Sequence, residues 1–185
     1  MADPPRESRD LQLLDAIDAF ARQPFEAEVW RVVREGRDPA LGARSLSRCC
    51  NGTFDVLYTS LERDGAIAEI QALLTLQPVF PSRIRWFAHT LKVCCEQTLK
   101  LADLPALARL GVNTDRHADR DYARTQPIAD AAYFLGFDGL IAPNPRWRCL
   151  NLVLFTDRIA PERIAVTIHD DQPVAWDQCR SRTRR

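Results

Sequence analysis

Two apolar runs close together in the chain, "FDGLIAP" (Phe137–Pro143) and "CLNLVLF" (Cys149–Phe155), most constrain what it can fold into. Both are too short for a core helix and rich in branched residues, so each reads as a buried strand. The loop between them carries Asn144, Arg146 and Arg148. "AEVWRVV", "FDVLYTS" and "SRIRWFAHTL" add three further strands, and "ERIAVTIHD" a weaker last one. Helices fall between them. Leu11–Ala21 has helical apolar spacing, and a second helix is expected from Glu62 to Leu76 with Ser60 as its N-cap. "DLPALARLG" and "TQPIADAAYFLG" are short helices that stop at Gly111 and Gly136, the first with Asp103 as cap and Pro105 in its first turn. This order lacks strict strand–helix–strand alternation. It predicts an α+β single domain, a central mixed β-sheet flanked by helices.

Composition narrows the function classes. A chain of 185 residues with 46% hydrophobic content can bury one ordinary core. Its 25 basic and 25 acidic side chains cancel, so no global field favours nucleic acid or membrane surfaces. The densest basic run is the tail Arg180–Arg185, which also reads as unpacked. No apolar run reaches the roughly 20 residues of a membrane span, and no signal peptide precedes the first helix. The six Cys lack C-x-x-C spacing, and the three His lack motif spacing, so neither a metal nor a redox site is expected. Reduced thiols in a cytoplasm are the expected state. Gly-rich phosphate loops and nucleophile elbows are absent from the sequence.

Four residues invite a functional reading. Glu69 lies in "AIAEIQALL", at the margin of a helical stripe formed by Ala66, Ile67, Ile70, Leu73 and Leu74. It is either a surface Glu whose stem rests on apolar neighbours, or a carboxylate at a pocket wall. Tyr58 shares a strand face with Phe54 and Val56, as a core Tyr or as the flat wall of a pocket. Arg31 sits in mid-strand in "VWRVV" and needs an acceptor, either a carboxylate such as Glu69 or a ligand phosphate. Arg48 lies in a loop, where a solvated Arg is the ordinary case.

Taken together, the order is specific. "VWRVV", an Arg ten residues before the Tyr of "VLYTSL", a Glu eleven after it in "AIAEI", then "TQPIADAAYFLGFDGLIAPN" and "NLVLF" resemble the RES domain family, named for its Arg, Glu and Ser. The resemblance implies a fold akin to ADP-ribosyltransferases. It also implies a bacterial toxin that consumes NAD+, silenced by an Xre-type antitoxin covering the active site in an oligomeric complex. By matching position, Arg31 and Arg48 are the pocket arginines, Tyr58 is the family Tyr and Glu69 the family Glu. Asn144 stands where the family has Ser, and "LSRCCNG" where it commonly has Gly-Gly-Arg-Trp. The implied division is an N-terminal helical segment over 1–28, the catalytic domain over 29–170 and a basic tail over 171–185.

The implied chemistry is consistent with these residue types. Arg grips a pyrophosphate through charge-assisted paired bonds. Breaking the nicotinamide–ribose bond builds positive charge on the ribose, which a fixed carboxylate opposes. On this reading Glu69 is catalytic, Tyr58 orients the nicotinamide end, and Asn144 hydrogen-bonds the amide or ribose. Water, phosphate or a protein side chain could receive the ADP-ribose, and no metal is required. The alternative is a non-catalytic module that only binds a nucleotide or its partner.

Overall fold

The computed structural model describes residues 9–176, residue 82 excepted. The tail Arg180–Arg185 and the polar stretch before Arg9 lie outside the described residues. Helix α1 (Leu11–Asp18) is capped by Asp10, whose carboxylate accepts the Leu13 N–H at 3.2 Å. Strand β1 then begins at Gln23 and runs to Arg34, so the sheet starts before residue 29. At the other end, Val174 is buried and its N–H bonds the Trp86 carbonyl at 2.8 Å. The chain therefore remains packed on the domain beyond residue 170.

Two two-residue strands, β2 (Leu46–Ser47) and β3 (Cys50–Asn51), form a small hairpin. The main sheet contains β1, β4 (Val56–Ser60), β5 (Trp86–Lys100), β6 (Gly139–Pro143), β7 (Leu150–Phe155) and β8 (Ile164–His169). Its order is β1-β4-β7-β6-β5-β8, and β1 also pairs with β5 from Gln23↔Thr98 to Arg34↔Trp86. That extra pairing closes five strands into a ring, with β8 hanging on β5. Among the described residues, only the β5–β6 pair is parallel. β5 is longer than its apolar run suggests, because Lys92 and Glu96 face solvent while Leu91, Val93 and Cys95 face inward.

Alternation along the strands separates two faces. Val29, Leu57, Leu91, Ile141, Leu152 and Leu154 pack together inside the ring. Val56, Leu140, Val153 and Phe155 face outward, against α1, α3 (Leu104–Arg109) and α4 (Thr125–Phe134). Trp30, Val32 and Ala88 also face outward, against α2 (Arg63–Leu74).

The α2 helix departs from its expected details. Ser60 ends β4 instead of capping the helix; Glu62 is the N-cap residue and makes no side-chain capping bond. The buried face comprises Gly65, Ala66, Ile67, Ala68, Gln71 and Leu74, whereas Leu73 is 47% exposed. Small residues on two sides let the helix sink into the curved sheet, which rotates the buried face away from Leu73.

Candidate active site

Strand register assembles the site on the outer face. Ser60 pairs with Asn151, and Asn151 pairs with Ala142, so these three lie in one row across β4, β7 and β6. Tyr58, Val153 and Leu140 form the next row. Asn144 follows β6, two residues beyond Ala142, and α2 lies over this end of the sheet. From α2, Glu69 accepts a hydrogen bond from Asn151 Nδ2 at 3.0 Å.

Glu69 is half-buried, and burial is the largest influence on its carboxyl, raising its pKa above the ordinary value. The Asn151 hydrogen bond opposes that shift, followed by the positive charges of Arg48, Arg146 and Arg120. Three guanidinium groups from three separate loops thus act on one carboxylate. Such an arrangement holds a charged group poised in a partly dry setting and favours an anionic ligand beside it.

Two of the three, Arg48 and Arg120, are held by backbone carbonyls. Arg48 is the first of the two turn residues between β2 and β3; its Nη2 donates to the Asp119 carbonyl at 2.9 Å, and its guanidinium lies 5.2 Å from the Tyr122 ring centre. Arg120 Nη2 donates to the Ala72 carbonyl of α2 at 2.9 Å. His117 Nε2 donates to the Pro143 carbonyl at 3.0 Å, which leaves its buried Nδ1 without a partner. Residues 117–122 therefore form a strap tied to α2, to the hairpin and to the end of β6.

Tyr58 serves this hairpin. Its hydroxyl accepts the Cys49 N–H at 2.8 Å and shares a hydrogen with Ser47 Oγ at 2.8 Å. Burial raises its pKa strongly, so it stays neutral. The hydroxyl is spent on the residues either side of Arg48, so it holds the Arg48 turn in place.

Asn144 is 7% exposed, and its side chain is fully engaged. Its Oδ1 accepts the N–H groups of Arg146 and Trp147 at 2.7 and 3.0 Å, and its Nδ2 donates to Asn151 Oδ1 at 2.8 Å. Ser60 Oγ and the Gly65 carbonyl lie 3.4 Å from the same nitrogen. A Cβ at Gly65 would overlap Ser60 Oγ and Cys149 Sγ, so any larger residue here forces these side chains to shift.

Arg31 lies apart from this group. It shares the inward face of Val29, opposite to Trp30 and Val32, which pack against α2. Its Nη1 donates to the carbonyls of Pro39 and Leu41 at 2.7 and 2.8 Å, so its acceptors are backbone groups, not Glu69. Burial pushes its pKa down to about 10, which leaves it charged at neutral pH. An open cavity of about 660 Å³ beside the loop after β1, lined by Arg34, Arg37, Leu41 and Ile84, includes none of the residues around Glu69.

Sequence reasoning thus places Glu69, Arg48 and Tyr58 in one neighbourhood, with Asn144 behind them. It passes over Asn151, Ser60, His117 and Arg120. Asn151 left one signal, being the only polar residue inside "LNLVLF". Among the described residues, no group of three or more His, Cys, Asp or Glu is placed to hold a metal.

A family profile described as the RES domain matches residues 28–177. The chain belongs to the RES domain family. Its fold is similar to that of a chain in the crystal structure of the M. tuberculosis MbcT-MbcA toxin-antitoxin complex. That match has a TM-score of 0.79 and 19% sequence identity, covering 93% of this chain and 97% of the other. Among curated proteins, none matches the sequence significantly. The RES profile spans Arg48, Tyr58, Glu69, Asn144 and Asn151 alike, so the whole Glu69 cluster lies within the family domain.

Proposed function

We propose that this RES domain is the toxin of a toxin–antitoxin pair and that it cleaves NAD+ at the nicotinamide–ribose bond. The observation that carries this reading is the half-buried Glu69 carboxylate under the combined field of Arg48, Arg120 and Arg146. NAD+ suits both halves of that arrangement. Its pyrophosphate matches the guanidinium groups, and the positive charge that builds on its ribose as nicotinamide departs matches the carboxylate. Glu69, aimed by a rigid helix and partly removed from water, opposes that charge more strongly than a solvated Glu would. Tyr58 acts by holding the Arg48 turn. Asn144 acts from behind the pocket.

The fate of the ADP-ribosyl group defines the branch. Water makes the protein an NAD+ glycohydrolase, phosphate a phosphorylase, and a protein side chain an ADP-ribosyltransferase. The partner, on this reading, is an Xre-type antitoxin that covers the site, and the setting is the cytoplasm.

Incubating the protein with NAD+ alone, with phosphate and with cell lysate, then identifying the products, tests the reading. Release of nicotinamide is expected in at least one arm. No nicotinamide in any arm from the folded protein would overturn it. Nucleotide binding without release would favour a binding module, a reading to which the exchange of the family Ser for the buried Asn144 lends some weight.

A further inference from the structure

We propose that Asn151 is the positioning residue for Glu69, and that the 144–147 turn sets the polarity of that contact through Asn144. The inference rests on Glu69 being the acting carboxylate, but its geometry stands by itself. The direction of each hydrogen bond follows from backbone groups whose roles are fixed. The N–H groups of Arg146 and Trp147 can only donate, so the atom of Asn144 facing them at 2.7 and 3.0 Å must be Oδ1. Its Nδ2 must then face Asn151, and the atom receiving it at 2.8 Å must be Asn151 Oδ1. Only Nδ2 of Asn151 remains to face Glu69, at 3.0 Å. Flipping the Asn151 amide would set nitrogen against nitrogen at one end and oxygen against the carboxylate at the other. Both residues are buried, at 7% and 9% exposure, so water does not replace either bond cheaply.

The consequence is specific. Asn151 presents a permanent donor to Glu69 Oε1, which favours the ionised carboxylate and fixes its plane. The other influences on the ionised form, Arg48, Arg120 and Arg146, act through charge, whereas Asn151 makes the hydrogen bond. The nearby Cys49 thiol is buried and neutral, its pKa pushed up to about 12. Arg146 belongs to the same turn that orients Asn144, so displacement of this turn disturbs a charge and the relay together. Substrate need not touch Asn144 at all.

The test follows Glu69 directly. Side-chain carboxyl carbons of labelled glutamate are titrated by NMR in the wild type, Asn151→Ala, Asn151→Ser and Asn144→Ala, with Glu69→Gln to assign the resonance. The Glu69 midpoint is expected to move to higher pH in Asn151→Ala and Asn144→Ala, and less in Asn151→Ser, which keeps a hydroxyl donor. The acidic limb of NAD+ cleavage should move the same way, with kcat down about tenfold at neutral pH and KM little changed. A lowered melting temperature with an unmoved midpoint in a folded variant would overturn the relay. Should Asn151→Ala fail to fold, Asn151→Ser carries the same decision. If the wild type releases no nicotinamide, the activity reading fails while the titration still decides the relay.

Discussion

Arg31 and Glu69 belong to opposite faces of one sheet. Arg31 faces inward with Val29 and holds the carbonyls of Pro39 and Leu41; Glu69 lies over the outer face and receives Asn151. Arg31→Ala should therefore act on stability first. The Pro39 carbonyl, part-buried, and the Leu41 carbonyl, at the surface, lose a charged donor, a loss of about 1–2 kcal/mol. Urea unfolding should show it, and amide exchange should quicken over residues 37–41. NAD+ cleavage per folded molecule should fall much less than in Arg48→Ala; equal losses would return Arg31 to the site.

Gly65→Ala sets two effects against each other. Ala favours a helix over Gly by roughly 1 kcal/mol. The new Cβ, however, overlaps Ser60 Oγ and Cys149 Sγ in a buried cluster, and overpacking costs about 1–3 kcal/mol. Net destabilisation is expected in denaturant titration. Adding Cys149→Ala should recover part of it, because the thiol is one of the two obstacles.

Tyr58→Phe removes the acceptor of the Cys49 N–H and the partner of Ser47 Oγ while keeping the ring. A loss of about 1–2 kcal/mol is expected. Hydrogen exchange at the Cys49 amide should rise well above that of the neighbouring β4 amides. Unchanged protection there would show that the turn around Arg48 holds itself.

Glu69→Gln tests the burial of the carboxylate by linkage. The folded-state pKa is raised, so the unfolded chain releases its proton first as pH rises. The wild-type fold is then penalised at neutral pH and free of penalty below the ordinary carboxylate range, where both states are protonated. Glu69→Gln should melt above the wild type at pH 7, with the difference closing in acid. A constant difference across pH would mean the charge is not the cause.

His89 and His169 bring Nδ1 atoms within 2.9 Å of each other, one strand away from Arg31. Burial first, then His169, holds the His89 pKa below the ordinary 6.5, while Asp170 works the other way. In the window just below 6.5 the unfolded chain binds the proton that the fold refuses. Stability should therefore fall as pH drops through it. His89→Gln should flatten that slope in melting curves from pH 8 to 5.

Much of the fold was legible in the chain. The β4, β6, β7 and β8 strands, α3 with its Asp103 cap, and the helix stops at Gly111 and Gly136 (φ 84° and 86°) follow from patterns within a few residues. The Arg48–Tyr58–Glu69 spacing picks out residues that the fold brings near one another. Asn151 escaped because nothing local marks a polar residue in a buried strand as structural or functional. Ser60 ends β4 instead of capping α2, because a Ser near a helix start can do either and only the strand pairing decides.

What the sequence by itself determined is therefore local: where strands and helices form, how they stop, and which residue types could do chemistry. The tertiary structure decided which of them meet. A strand's side chains alternate between faces, and the chain of letters does not say which face will be inside until register and closure are set. The β1–β5 pairing that closes the ring turned Arg31 inward, while the row Ser60–Asn151–Ala142 turned Asn151 outward beneath Glu69. The β1–β5 and Ser60–Asn151 pairings join residues far apart in the chain, so the environment of the carboxylate is a property of the fold, not of its own helix.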